Sequence, residues 1–81
     1  MSIQTYIAMS FGRSPEGHLS PRQYRDCGCE TDALEQARLF GEADAGAIAI
    51  SRLLDLDRGT STPRLLHQVG EIPNLEYLLN R

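Results

Sequence analysis

The sequence predicts a small α+β domain of the order ββαββ, with one helix packed on a small antiparallel sheet and a short C-terminal helix or tail. Three patterns support this fold: alternating side chains over residues 3–11, helical spacing of apolar residues between positions 33 and 43, and an apolar run from residue 47. At 81 residues the chain suits one domain with one modest core. We expect a core over residues 1–73 and a tail over residues 74–81.

The first two strands are predicted as a hairpin. Residues 3–11 place Ile, Thr, Ile, Met and Phe on one face and Gln, Tyr, Ala and Ser on the other, which is typical of a half-buried strand. The Ser-Pro-Glu-Gly sequence at 14–17 then favours a tight turn back toward residues 19–25. Pro21 cannot donate a ladder hydrogen bond, so the second strand should lie at the edge of the sheet or contain a bulge.

The helix is predicted to begin at a cap formed by Thr31 or Asp32, with Asp32 and Glu35 spaced as a variant capping box. Gly46 is the expected glycine at its end. The predicted buried stripe consists of Ala33, Leu34, Ala37, Phe40 and Ala43. The predicted outward face carries Asp32, Glu35, Gln36, Arg38 and Glu42.

The C-terminal half is predicted to complete the sheet. Residues 47–54 suit a central strand covered by the helix on one side, and residues 55–62 suit a polar turn. Residues 63–71 fit either a strand or a short helix, and we favour the strand because it pairs with its neighbour. Asn74 could cap a last short helix in which Leu75, Leu78 and Leu79 form an apolar face. That face either covers the open side of the sheet or meets a partner or a second copy.

The charge is unevenly distributed. All 8 basic residues are arginine, against 11 acids and a formal net charge of −3, so lysine-dependent chemistries are excluded. Residues 1–25 carry +2 and residues 45–81 are neutral. Residues 26–44 hold six acids and one arginine, a charge of −5. A surface of that sign repels phosphate, so we expect no direct binding of DNA or RNA.

Two groups of residues are candidates for chemistry. Cys27 and Cys29 with His18 and His67 do not have the spacing of a zinc site, and we expect no metal or cofactor. His67 is expected to be a partly buried packing residue. The Asp55-x-Asp57 stretch resembles the nucleophile motif of haloacid-dehalogenase-like phosphatases, but that motif needs a downstream lysine and a much larger fold. A small metal-dependent or hydrolytic enzyme is therefore the least favoured function.

The favoured function is a non-catalytic protein-interaction module. The expected contact is the acidic helix face with Asp32, Glu35, Gln36 and Glu42, and Leu75 and Leu78 form a second candidate contact. The expected partner is a protein with a basic surface, and a homodimer is also possible. Neither a signal peptide nor a membrane segment is recognised, so we expect a cytoplasmic protein with reduced thiols.

Several stretches resemble small uncharacterised bacterial proteins whose function is unknown. The resemblance spans residues 3–73 and rests on an Ala- and Leu-rich helix, a Gly-Ala-x-Ala-x-Ser-Arg strand at 46–52 and a closing Gly-Glu-x-Pro at 70–73. Residues 5–44 are also similar to antitoxins of the HicB type, in which a strand pair leads through a glycine-cysteine turn, here residues 27–29, into an acidic, Ala-rich helix. Phage-encoded anti-CRISPR proteins share the size and charge. These last two similarities imply an inhibitor of a nucleic-acid-handling complex, or an antitoxin, as the alternative function.

Overall fold

The computed structural model describes residues 1–73, which form a four-stranded antiparallel sheet with one helix on one of its faces. The strands are β1 (Ser2–Arg13), β2 (Leu19–Cys27), β3 (Gly46–Asp55) and β4 (Thr60–Gly70), and the helix is α1 (Glu30–Ala43). The strand order across the sheet is β2-β1-β3-β4. The predicted α+β class and ββαββ order are confirmed, whereas the predicted short helix or tail at 74–81 lies outside the described residues.

The β1–β2 hairpin has the geometry that its sequence predicts. Ser14 accepts the backbone N–H of Gly17 at 2.9 Å, and Gly17 has a φ of +87°, a conformation that glycine adopts without strain. β2 lies at the edge of the sheet, and the register shifts between Ser10 and Phe11 where they face this strand. Pro21 therefore sits on an edge strand next to a bulge, where its missing N–H costs no ladder bond.

β3 is a central strand, and the ambiguous segment that follows is a strand rather than a helix. β3 pairs with β1 on one side and with β4 on the other. The strands continue further than predicted, because the connecting turn contains only residues 56–59 instead of 55–62. Asp55 makes this short turn possible: its carboxylate accepts the backbone N–H groups of Asp57 and Arg58 at 3.1 and 3.2 Å.

The start of α1 differs from the predicted cap at Thr31 or Asp32. Cys29 is the N-cap residue, its side chain makes no capping hydrogen bond, and its carbonyl accepts the N–H of Ala33. Only two residues separate β2 from α1, so the helix begins as soon as the chain has turned. Asp32 still acts near the helix start, because its carboxylate accepts the backbone N–H of Gly28 at 3.3 Å.

The end of α1 also corrects two predictions. The C-cap is Asp44, and Gly46 belongs to β3 instead of ending the helix. Gly46 is needed for close packing, since a Cβ atom there would stand 1.8 Å from the carbonyl oxygen of Glu71. Ala43 was expected in the buried stripe but is exposed. Three residues after Phe40 it lies about 60° further round the helix, and about 120° from Ala37, so it points away from the sheet.

The two faces of the sheet carry different side chains. α1 covers a face of small residues, on which Ala33, Ala37 and Phe40 of the helix pack. The sheet residues beneath them include Ala8, Ala47 and Ala49. The opposite face, here called the open sheet face, holds larger apolar residues: Ile3, Ile7, Met9, Phe11, Leu19, Tyr24, Ile48, Ile50, Leu54, Leu65 and the following Ile72.

Candidate interaction surfaces

The outer face of α1 carries the predicted acidic contact, and its carboxylates are organised around one arginine. The Arg38 guanidinium lies 2.6 Å from a carboxylate oxygen of Glu35 and 3.1 Å from one of Glu42. The hydrogen bond from Arg38, and then its charge, hold the pKa of Glu35 below its usual value. All three side chains are more than half exposed, so these ion pairs add little to stability.

The other two predicted contact residues have partners within the domain. Asp32 is exposed and holds the Gly28 N–H described above. Gln36 is half-buried, and its side-chain oxygen accepts a hydrogen bond from Arg25 of β2 at 2.8 Å. The four predicted residues thus occupy one helix, but Glu35 and Glu42 project most freely, while Gln36 connects α1 to the edge strand. Leu75 and Leu78 lie outside the described residues.

Asp44 is a part of the acidic segment that sequence reasoning did not separate from the rest. Its side chain is only 8% exposed, and its carboxylate accepts hydrogen bonds from Ser10 at 2.5 Å and Gln23 at 3.0 Å. Arg22 lies 3.7 Å away. These hydrogen bonds, more than the arginine, lower the pKa of Asp44. Asp44 therefore ties the end of α1 to β1 and β2 and is not available to a partner.

The sequence suggests a basic N-terminal hairpin apart from an acidic helix, but the arginines of β2 lie next to the acidic segment in the folded chain. Arg22 approaches Asp44 and Arg25 reaches Gln36, so two of the three arginines in residues 1–25 lie beside the acidic segment. Their positions depend on the bulge in the β1–β2 ladder. A bulge shifts the register by one residue and so determines which side chains of β2 lie on the same face of the sheet as α1. A bulge of this kind has no reliable sequence signal apart from Pro21, and the contacts were not predicted for that reason.

The candidate chemical residues are dispersed over the fold. Asp55 holds the β3–β4 turn, and Asp57 pairs with the N-terminal ammonium group of Met1. Cys27 and Cys29 are free, and burial raises the pKa of the Cys27 thiol. Within residues 1–73, no group of three or more His, Cys, Asp and Glu side chains is arranged to hold a metal ion.

His67 was expected to be partly buried, but it is exposed. The register of β4 shifts next to it, and the neighbouring Leu66 packs against the core instead. His67 lines a shallow depression of about 370 Å³ beside α1, together with Glu35 and Arg38, which already pair with each other. A second depression of about 250 Å³ lies near the helix start, where Glu30, Ser51 and Arg64 are among its lining residues.

The open sheet face is the apolar face of the sheet on which α1 does not pack. Phe11 and Ile48 are fully buried at its centre, where Ile72 packs on them from the chain that follows β4. Toward its margins Ile3 is 42% exposed and Tyr24 59% exposed. Sequence reasoning anticipated an open side of the sheet, but it could not assign the larger apolar residues to it because both faces of β3 are apolar.

The helix of the described region, α1, has 14 residues, and no helix there is long and apolar enough to cross a bilayer. Comparison with protein family models, curated proteins and solved structures finds no match to this chain. The resemblances to small bacterial proteins, antitoxins and anti-CRISPR proteins therefore stay predictions.

Proposed function

We propose that this chain is a non-catalytic protein-interaction module that docks the outer face of α1 on the basic surface of a partner protein. The observation that carries the proposal is the division of α1 into two sides. Ala33, Ala37 and Phe40 anchor the helix to the sheet, while Glu35 and Glu42 project into solvent from the other side. Because the helix backbone is held on the sheet, the two carboxylates are presented from a fixed position, and the helix need not be ordered when a cationic partner binds.

The charge of α1 supports a cationic partner. Within the helix Glu30, Asp32, Glu35 and Glu42 are opposed only by Arg38. A partner arginine or lysine can share Glu35 or Glu42 with Arg38, because each carboxylate has several lone pairs available to donors. Contacts of this kind accelerate association and weaken as salt is added. We place the contact in the cytoplasm, where Cys27 and Cys29 stay reduced.

The proposal is tested by charge reversal on the helix. We expect Glu35→Arg/Glu42→Arg to lower capture of the partner from a lysate of the source cells by about tenfold or more at low salt, because two attractive contacts become repulsive. The control is Glu16→Arg/Asp57→Arg, which changes net charge equally at two exposed turn positions. Circular dichroism checks that both variants fold. Equal recovery of partners by the wild type and both variants would count against the contact.

A second double variant separates the effect of added positive charge from the effect of losing the ion pairs with Arg38. Glu35→Gln/Glu42→Gln removes the Arg38 ion pairs without adding positive charge, so capture should fall less than with arginine.

Addition of a DNA oligonucleotide then distinguishes the kind of partner. If the partner is a nucleic-acid-handling protein, as for an anti-CRISPR protein, the oligonucleotide should compete with α1 for its basic groove.

A further inference from the structure

We propose that residues 74–81 fold back over the open sheet face and complete the core around Phe11 and Ile48. The sequence leaves two uses open for Leu75 and Leu78, contact with a partner or cover of the sheet, and the burial of the described residues favours the second. The inference does not rest on the function proposed for α1, because it concerns the other face of the sheet.

Three side chains of the open sheet face are more deeply buried than the described residues around them explain. Phe11 and Ile48 are 0% exposed and Ile50 is 4% exposed, although α1 packs on the opposite face. Of the residues within 1–73 that pack against them, all but Ile72 belong to the strands and stand beside them in the sheet. Phe11 is level with Gly46 and so lies about 14 Å along the strands from Ile50, farther than one isoleucine side chain reaches. This burial therefore requires a further part of the chain over the cluster.

The chain leaves β4 in the direction of this cluster. Gly70 pairs with Gly46 at the buried end of the open sheet face, and its φ of +67° turns the backbone out of the strand. Glu71 then crosses β3 at Gly46, and its carboxylate accepts a hydrogen bond from Arg13 of β1 at 2.6 Å. Ile72 follows and packs on the cluster. The residues after it therefore begin at the end of the face that is buried.

The length and composition of residues 74–81 match the buried area. Eight residues of helix span about 12 Å, which is close to the extent of the buried cluster along the strands. Three apolar residues recur at helical spacing and supply one side of that length: Leu75, Leu78 and Leu79. Exposure rises beyond this reach, since Ile3, about 27 Å along β1 from Phe11, is 42% exposed. A cover of eight residues thus accounts for both the buried end and the exposed end of the face.

Paramagnetic broadening in the full chain tests where the C-terminal residues lie. A nitroxide is attached at Asn80→Cys in a Cys27→Ser/Cys29→Ser background, and the methyl groups of the two methionines are observed by NMR. Met9 lies on the open sheet face, whereas Met1 lies about 27 Å away near the other end of β1. The Met9 signal should lose most of its intensity, and the Met1 signal should keep most of its own. Equal loss at both methionines, or loss at neither, would overturn the proposal.

Two controls define how the broadening is read. The same label at Arg58→Cys, in the β3–β4 turn whose backbone bonds that of Met1, should broaden Met1 instead of Met9. A mixture of nitroxide-labelled chains with separate methyl-labelled chains should show no broadening of Met9. Loss of the Met9 signal in that mixture would refute the proposal, because the cover would then come from a second copy.

Two charge-matched variants test the contribution of the segment to the fold. Leu75→Asp/Leu78→Asp should lower the Tm by about 10 °C or more, because two apolar side chains of the core become charged. Asn74→Asp/Asn80→Asp adds the same charge beside the leucines and should shift the Tm by less than about 3 °C. A leucine variant that fails to fold while the asparagine variant folds supports the same assignment. A leucine variant with the Tm of the wild type would contradict it.

Discussion

Asp44 illustrates how position within the fold separates residues of one type. It belongs to the same acidic segment as Glu35 and Glu42, yet its carboxylate is almost fully enclosed and accepts hydrogen bonds from Ser10 and Gln23. Glu35 and Glu42 project into solvent and pair only with Arg38. A carboxylate thus holds the end of α1 against the sheet at Asp44, whereas the carboxylates of Glu35 and Glu42 form part of the protein surface.

The lowered pKa of Asp44 predicts a loss of stability in acid. A carboxyl whose pKa is lower in the folded state stabilises the fold above the ordinary aspartate value of 3.8 and loses that contribution as the pH falls through the folded-state value. Asp44→Asn should lower the Tm near neutral pH and reduce the decrease in Tm between pH 4 and lower pH. Thermal unfolding across this range measures both effects, with Glu16→Gln in the exposed hairpin turn as the control. An unchanged acid profile in Asp44→Asn would show that other carboxyls determine it.

Gly46 gives a second example at the residue scale. There is no space for a side chain at this position, because the backbone of Glu71 crosses directly against it and the Glu71 N–H bonds the carbonyl of Ala45 at 2.9 Å. Gly28 also lies at a junction with α1, but a Cβ atom there would meet nothing within 4 Å and its φ is not positive.

The two glycines should respond differently to alanine. Gly46→Ala is expected to lower the free energy of unfolding by about 2 to 4 kcal/mol, because the backbone must move to relieve the contact. Gly28→Ala should be neutral or stabilise by up to about 1 kcal/mol, since it restricts the unfolded chain without strain in the folded one. Urea unfolding of both variants gives the comparison. Equal effects would contradict the contact at Gly46.

At the scale of elements, the packing of α1 on the sheet depends on alanine from both sides. Ala33 and Ala37 of the helix meet Ala8, Ala47 and Ala49 of the strands. Phe40 is the large buried side chain of this layer, and Tyr6, Leu34 and Leu66 pack partly buried around it. Small residues let the helix lie close to the sheet, and this closeness sets the contacts at both helix ends. The layer leaves little room for additional volume, because protein interiors are close-packed.

A larger side chain should therefore destabilise the protein on the buried side of α1 but not on its exposed side. Ala37→Leu, at a fully buried position, is expected to lower the free energy of unfolding by about 1 to 3 kcal/mol through overpacking. Ala43→Leu makes the same change at an exposed position of the same helix and should alter stability by less than about 0.5 kcal/mol. Denaturant unfolding of the two variants tests this, and a destabilised Ala43→Leu would place that residue in the core after all.

At the scale of the whole molecule, the sheet separates two surfaces of different chemistry. The outer face of α1 is charged, so binding through it should weaken as salt screens the carboxylates. The open sheet face is apolar, so salt does not screen the contacts among its side chains. The salt dependence of partner binding thus tests whether the partner contacts the outer face of α1.

The order of elements followed from the sequence because local patterns encode it. Alternation over residues 3–11, the turn residues at 14–17 and the spacing of Ala33, Ala37 and Phe40 each depend on neighbours in the chain. The acidic character of α1 was readable for the same reason. The edge position of β2 also followed locally, since Pro21 lacks an N–H group to donate.

Tertiary structure decided what depends on contacts between distant segments. The enclosure of Asp44, the exposure of His67 and the need for glycine at position 46 each arise from chain segments that meet only after folding. The sequence determined that β3 is apolar on both faces, but only the folded chain decided which face receives the helix. Alanines on one side allow close approach of the helix, and so the bulkier aliphatic side chains are left on the open sheet face.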